Sequence, residues 1–169
     1  MKGFFYSEKT KEKGIGKISQ VKPRVISPEL QKYIDKVHIL ESDEAVNKVL
    51  EGVLLGDCLF SFDYETTGLK PHAQGHRIVC VSFCVDEDNA FVFEMTESRK
   101  KIWQRVLINK DIKKTAHNIK FEQVWTKNIL GYDIQGWYLC TMLGAHVLDN
   151  IQRVGLKELV KKHFRIDDY

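Results

Sequence analysis

The chain has 169 residues, of which 43% are hydrophobic and 29% are charged, and it carries a net charge of only +3. These values are ordinary for a globular protein, and the length predicts one domain with a sizeable core. No apolar run approaches the ~20 residues of a membrane span, and the N-terminus MKGFFYSEKTKEKGIGK lacks the apolar stretch and cleavage site of a secretory signal. Membrane and secreted classes are therefore not expected, and a cytoplasmic protein is favoured.

Positive charge is concentrated at the N-terminus. Residues 1–28 hold seven Lys or Arg and two Glu, a local net charge of +5 that leaves about −2 for the rest of the chain. We expect residues 1–40 to form a basic, poorly ordered arm with a short helix over 28–36 that begins at Pro28. Residues 41–169 would form the folded domain. The arm would either touch a phosphate backbone or remain a solvated tail.

Helical and strand patterns alternate along the remainder. Ser42 can cap a helix whose apolar face includes Val46 and Leu50 and which Gly52 would end. Three β-rich runs then predict an antiparallel meander: CLFSFDY, RIVCVSFCV and AFVFEM. The later segments predict a helix (ESRKKIWQRVLIN), a short strand (KKTAHN), a helix from about Asn118 (IKFEQVWTKNIL), a strand around Trp137–Cys140, and two helices (TMLGAHVLDN and GLKELVKKHF). This order predicts an α/β domain with a mixed sheet.

The cysteines predict neither a zinc site nor a disulfide. Cys58, Cys80, Cys84 and Cys140 fit no zinc-binding spacing. Cys80 and Cys84 fall in one strand-like run, where they would lie about 13 Å apart, too far for a disulfide. We expect reduced, buried thiols, as in cytoplasmic proteins.

Two carboxylates, Asp63 and Glu65, follow the apolar run LFSF and precede TTGL. In a strand they would project from the same face, about 6.5–7 Å apart along the backbone. Like charges on one face repel, so a partly buried pair needs a shared proton or a cation. Oxygen ligands suit Mg²⁺ or Mn²⁺, and two such ions bridged by carboxylates are common in phosphodiester chemistry. A solvent-facing acidic pair at a strand end is the alternative.

Three segments, taken in order, resemble a known family. FDYETTGL is similar to the first motif, Asp-x-Glu, of the DEDD (DnaQ-like) 3′–5′ exonucleases, and especially of the proofreading domain of family A DNA polymerases. TAHNIKFE resembles their second motif, and CTMLGAHVLDN with GLKELVKKHF resembles the helix pair that follows it. The similarity spans about Leu59 to Phe164. It implies a ribonuclease H-like fold, a mixed sheet flanked by helices, and hydrolysis with two divalent metal ions, Mg²⁺ or Mn²⁺.

The first motif carries the residue roles that the resemblance implies. Asp63 corresponds to the carboxylate that bridges both metal ions, and Glu65 to a ligand of the ion that activates water. Thr66 and Leu69 match positions that contact the terminal nucleotide, Leu69 as an apolar wedge against the last base. Asn118, in the second motif, matches a substrate-contacting side chain and can also cap the helix.

The rest of the second motif leaves alternatives open. Glu122 stands where the family has Asp, and the extra methylene makes it either a working catalytic metal ligand or an exposed surface residue. Phe121 would pack in the core or contact substrate, and His117 would be a structural hydrogen-bonding group or a substrate contact. Lys120 and Lys127 are candidates for phosphate contacts, or solvated helix lysines.

Two departures from the family follow. The third motif, Tyr-x3-Asp or His-x4-Asp, is not found before the sequence ends in RIDDY, where Asp167, Asp168 and Tyr169 have the right residue types in the wrong order. We therefore expect a C-terminally incomplete exonuclease domain, part of a longer protein. Cys140 also stands where the family usually has Asp.

The leading hypothesis is a proofreading 3′–5′ exonuclease that acts on single-stranded DNA 3′ ends, with RNA as a second possibility. A polymerase domain would be its partner in the full-length protein, at the nucleoid or a viral replication site in the cytoplasm. A catalytically impaired module that binds nucleic acid or a partner is the alternative. An aspartyl-phosphate phosphohydrolase is a third hypothesis, but it needs Asp where Glu65 stands.

Overall fold

A computed structural model describes residues 26–166 of the chain. The strands are β1 Val37–Ile39, β2 Leu59–Thr66, β3 Ile78–Cys84, β4 Ala90–Glu94, β5 Lys113–Ala116 and β6 Trp137–Cys140. The α-helices are α1 Pro28–Ile34, α2 Asp43–Leu55, α3 Glu97–Ile108, α4 Ile119–Trp125, α5 Thr141–Leu148 and α6 Leu156–Phe164. Over these residues no helix is long and apolar enough to cross a bilayer.

The six strands form one mixed sheet in the order β1-β4-β3-β2-β5-β6. Strands β2, β3 and β4 are the antiparallel meander that the sequence predicted, and β5 and β6 run parallel to β2. The predicted α/β fold class, a ribonuclease H-like mixed sheet flanked by helices, is confirmed. Because β2 and β5 are parallel neighbours, the residues that follow their C-terminal ends meet at one edge of the sheet.

The core is organised around the indole of Trp103 in α3, which is fully buried. Alternate residues of β2 face this helix, as the two-residue period of a strand requires. Rings of the meander lie with their centroids 5.4 to 6.3 Å from that of Trp103: Phe60, Phe62, Tyr64, Phe83 and Phe93. Burial of these rings fixes β2 firmly, since aromatic side chains carry a large apolar area.

Several element boundaries differ from the predictions. Ser42 does cap α2, but the prediction that Gly52 ends this helix was wrong, because α2 continues to Leu55 with Gly56 as its C-cap. The predicted helix near Asn118 begins as expected and then widens into a π-helical turn over Thr126–Leu130. Strand β1 was not predicted at all.

The N-terminal arm lies largely outside the described residues, so its contact with phosphate stays a prediction. Within the described part, α1 confirms the short helix that begins at Pro28. The four cysteines are free, and Cys80 and Cys84 lie together in β3. Asp167, Asp168 and Tyr169 also lie outside the described residues.

Candidate active site

Asp63 and Glu65 lie on one face of β2, near its C-terminal end. Both side chains remain accessible to solvent, whereas Tyr64 between them is buried on the opposite face. The Tyr64 hydroxyl accepts a hydrogen bond from Trp103 Nε1 at 3.0 Å and bonds with Thr126 Oγ1 at 2.9 Å. The core thus holds the backbone from which both carboxylates project.

Glu122 joins this pair from the next strand–helix unit. It lies in the first turn of α4, and only 1% of the residue is exposed. Its carboxyl is within hydrogen-bonding reach of the Asp63 carboxyl. The alternative that Glu122 is an exposed surface residue was therefore wrong. The extra methylene is accommodated by burying the side chain beside β2.

Burial and mutual repulsion make the charged forms of the carboxyl groups at this edge unfavourable. Burial and the nearby Glu65 charge raise the pKa of Asp63, although its hydrogen bonds with Glu122 and with the Tyr64 backbone, and the His117 charge, act in the opposite direction. Burial, reinforced by the Asp63 charge, raises the pKa of Glu122 to about 8. Glu122 Oε2 is also buried without a hydrogen-bond partner among the described residues. A buried acceptor in this state costs free energy unless a proton or a cation satisfies it.

The carboxylates at this edge have the chemistry of ligands for a hard divalent cation. Within residues 26–166 no group of three or more His, Cys, Asp or Glu side chains has an arrangement that could hold a metal ion. The contact between Asp63 and Glu122 nevertheless supplies two carboxylates, one with a free oxygen, and Glu65 lies two residues along the strand. Oxygen-only ligands of this kind suit Mg²⁺ or Mn²⁺, which keep several waters in their shell.

His117 and Asn118 follow β5 directly. His117 Nδ1 lies 3.0 Å from Thr141 Oγ1, and the imidazole borders a cavity of about 310 Å³ that Asp63 also lines. Burial lowers the pKa of His117, although the Asp63 charge acts in the opposite direction. Asn118 adopts the left-handed conformation at φ 63° and makes no side-chain capping bond. Asn118 therefore occupies the N-cap position without capping through its side chain.

A second cavity, of about 370 Å³, lies between the segment after β2 and α4. Leu69, 85% exposed, borders it from one side, and Asn118 and Phe121 from the other. Phe121 is half-buried with its ring centroid 5.9 Å from that of Trp125, so it packs on the core and lines the cavity at once. Thr66 Oγ1 donates to the Gly68 carbonyl at 2.8 Å. Apolar walls with one amide suit a nucleobase.

The two lysine candidates differ in their surroundings. Lys120 is exposed at the rim of the cavity lined by Leu69. Lys127 Nζ instead forms an ion pair with Asp133 at 2.6 Å. Lys120 is consequently the better placed of the two to meet a phosphate.

Cys140 occupies a position between two helix starts. Burial raises the pKa of its thiol, but backbone N–H groups of α4 and α5 that face it, together with that of Asn118, outweigh this effect and leave the pKa below its ordinary value. Such a site favours a negative charge. An Asp would therefore suit the same position.

Sequence reasoning missed two residues near the candidate site, His76 and Thr141. Thr141 supports His117. His76 packs on Trp125 and hydrogen-bonds to the segment that carries Leu69. Thr141 lies in the segment CTMLGAHVLDN that carries the resemblance, but no role was predicted for it. His76 lies in none of the quoted motifs, and only its proximity to Leu69 in the sequence offered a signal.

Comparison with known proteins places the chain among nucleases. A family model described as a 3′–5′ exonuclease matches residues 37–167. Among solved structures, NrnC of Brucella melitensis with bound Mg²⁺ aligns at a TM-score of 0.60 and 22% identity, over 79% of this chain and 63% of that one. Escherichia coli RNase D, described as an exoribonuclease involved in structured RNA processing, aligns at 0.64 and 14% identity, over 79% and 34%. The RNase D of Trypanosoma brucei in complex with RNA U12 aligns at 0.63 and 16% identity, over 78% and 48%.

These structural similarities show the shared fold. The chain spans less than two thirds of the length of the NrnC chains that it matches. A search of curated protein sequences found no match to this chain.

Proposed function

The chain belongs to the family of 3′–5′ exonuclease domains whose model matches it, as the resemblance in its motifs predicted, and on this premise we propose that it removes nucleotides from the 3′ ends of single strands. The observation that carries the proposal is the contact between the Asp63 and Glu122 carboxyl groups, with an unpaired Glu122 oxygen. Phe121, the residue before Glu122, lines the cavity that Leu69 borders. The negative charge at this position fits a cation, which could in turn bind a phosphate, and the cavity fits the terminal base.

Each group has a distinct part in the proposed reaction. Asp63 and Glu122 would hold a divalent cation, and Glu65, from the same face of β2, would ligate a second. Divalent cations supply charge that favours ionised water and departure of the 3′-oxygen. Leu69 and Phe121 would enclose the terminal base, and Asn118 would orient it by hydrogen bonding. The site would thereby fix the scissile phosphate over the carboxylates.

Within this function we propose DNA ends as substrate and a proofreading role beside a polymerase. The matched family model, named for the exonuclease of family A DNA polymerases, supports DNA. A terminal base must leave its pair to enter the cavity, and this costs least at a mismatch. Among the similar structures, NrnC of Brucella melitensis is bound to pGG and the RNase D of Trypanosoma brucei is in complex with RNA U12, so RNA is the competing substrate.

The test is release of labelled nucleotide from matched DNA and RNA strands. Strands with a 3′ label are incubated with Mg²⁺, with Mn²⁺ or with EDTA, and Asp63→Asn serves as the inactive control. We expect metal-dependent release that starts at the 3′ end and is lost in the variant. Release from RNA alone would remove the proofreading role, and release that is independent of Asp63 would contradict the whole proposal.

A binding module without catalysis is the second candidate. Two observations favour it: Glu122 replaces an Asp, and the described residues hold no group of three metal-binding side chains. Retention of labelled strands without cleavage under any metal would support this candidate. The family match gives no support to an aspartyl-phosphate phosphohydrolase.

A further inference from the structure

The segment that joins β2 to β3, residues 67–77, forms a closed loop, here called the Leu69 loop. Its ends are tied together, because the Thr67 N–H donates to the Arg77 carbonyl at 3.1 Å and the Arg77 N–H donates to Thr67 Oγ1 at 2.9 Å. Leu69 projects from this loop with 85% of its surface exposed. Its own contacts therefore do not explain how its position is fixed.

His76 connects the Leu69 loop to the core. Its Nδ1 donates to the Lys70 carbonyl at 2.7 Å, inside the loop. Its ring stacks on that of Trp125, with centroids 6.5 Å apart and planes inclined by 12°. Trp125 is fully buried in α4. One side chain thus bonds to the loop on one side and rests on a rigid ring on the other.

Gly68 makes room for this imidazole. A Cβ placed on Gly68 would lie 2.5 Å from His76 Cε1 and 3.0 Å from each of its ring nitrogens. Only a residue without a side chain permits this approach. His76 therefore touches both chain neighbours of Leu69, since it packs against Gly68 and bonds to Lys70.

We infer that His76 is a positioning residue that holds Leu69 over the cavity lined by Phe121 and so determines how tightly a 3′-terminal nucleotide is seated. This inference rests on the proposed function. It concerns only how the 3′ end of the substrate is bound, and it assigns His76 no part in the chemistry of the carboxylates. Loss of His76 should therefore weaken substrate binding far more than it slows the chemical step.

The first experiment compares His76→Ala and His76→Phe with His72→Ala, a histidine in the same loop that is exposed. Hydrolysis of a short single strand gives kcat and KM, and fluorescence anisotropy of the labelled strand in EDTA gives Kd. For His76→Ala we expect KM and Kd to rise on the order of ten-fold, with kcat changed less than about three-fold. His76→Phe keeps the ring but loses the bond to Lys70, so its Kd should fall between wild type and His76→Ala.

A Kd for His76→Ala equal to that of His72→Ala would overturn the inference. So would an equal fall in kcat and in affinity together with a lowered melting temperature, because that pattern marks a general structural role. The two proposals fail separately. If the wild-type chain binds strands without cleaving them, the proposed exonuclease activity is contradicted, but the Kd values still test the role of His76. If it neither binds nor cleaves strands, both proposals are overturned.

A double-mutant cycle with Gly68→Ala tests the same contact independently. In the wild-type background the new methyl group displaces the imidazole, and Kd should rise about as much as in His76→Ala. In the His76→Ala background the methyl group meets no ring, and Gly68→Ala should add less than about two-fold. Additive effects of the two substitutions would contradict the proposed contact.

Discussion

Glu122 is the residue of the candidate site whose charged form is most strongly disfavoured, since its pKa is raised to about 8. Its carboxyl is buried against that of Asp63, and one oxygen has no partner among the residues described. Glu122→Gln keeps the size and removes the charge. We expect metal-dependent hydrolysis to fall by about 100-fold or more, because a cation loses a ligand and its geometry. The melting temperature in EDTA should rise, since an amide neither buries a charge nor has to take up a proton when the chain folds.

Single-turnover hydrolysis and thermal melting measure the two effects. Glu87→Gln is the control, because Glu87 is exposed in the turn between β3 and β4. Addition of Mg²⁺ should raise the melting temperature of the wild type and of the control, and leave that of Glu122→Gln nearly unchanged. An unchanged hydrolysis rate in Glu122→Gln would remove Glu122 from the catalytic set.

Tyr64 acts on the site through the backbone that it holds. Tyr64→Phe removes the partner of the buried Trp103 indole N–H and of Thr126 Oγ1. We expect the free energy of unfolding to fall by about 1–3 kcal/mol, the cost of leaving buried polar groups unpaired. Urea unfolding measures this change, with Tyr138→Phe, at an exposed residue of β6, as the control. Equal effects of the two substitutions would show that the buried hydroxyl contributes nothing.

The candidate site was partly predictable from residue spacing. Asp63 and Glu65 had to share a face once β2 was recognised, because side chains alternate along a strand. The burial of Glu122 was not predictable, because it depends on where α4 starts and how closely β5 pairs with β2. His76 was missed for a related reason. Its role depends on stacking with Trp125, which lies 49 positions further along the chain.

At the scale of elements, α2 shows how packing overrides a local stop signal. Gly52 lies inside the helix, and a Cβ placed there would meet no atom within 4 Å. Gly52→Ala should therefore raise the free energy of unfolding by about 0.5–1 kcal/mol, since Ala loses less backbone entropy in a helix. Chemical denaturation measures the change.

The matched control is Gly131→Ala. Gly131 also has open space around it but lies at φ 85°, where a side chain is strained. The same substitution should lower stability there by roughly 1 kcal/mol. Stabilisation at residue 131, or destabilisation at residue 52, would contradict these backbone assignments.

Elements that were predicted differ physically from those that were missed. The meander and α3 carry long apolar runs or clear helical spacing, and their burial follows from that pattern alone. Strand β1 has three residues, all exposed, and is defined by its parallel pairing with β4. No local pattern encodes such pairing. The π-helical turn likewise depends on a tertiary contact, because its first residue, Thr126, is buried against Tyr64.

Across the whole molecule, β5 links the carboxylate strand to the edge strand β6, and a buried lysine lies at its centre. Lys114 is fully buried, and its Nζ donates to the carbonyls of Asn109 at 2.7 Å and Ile112 at 3.0 Å. Burial lowers the pKa of Lys114 to about 8. The ammonium form is thus retained at neutral pH at a cost to the stability of the entire fold.

This cost predicts a pH dependence with a definite sign. Between about pH 8 and 10.5 the unfolded chain keeps the proton on Lys114 while the folded chain releases it, so this group makes stability rise with pH in that window. Below pH 8 both states hold the proton and the contribution is constant. Lys114→Met removes the rise, and the free energy of unfolding of the wild type relative to this variant should increase by up to about 3 kcal/mol from pH 8 to 10.5.

Raised thiol pKa values at Cys58, Cys80 and Cys84 oppose this trend in both proteins, so their effect cancels in the difference between wild type and variant. Urea unfolding at several pH values measures it, with exposed Lys101→Met as the control, and a difference that stays flat across the window would show that Lys114 titrates as it does in the unfolded chain.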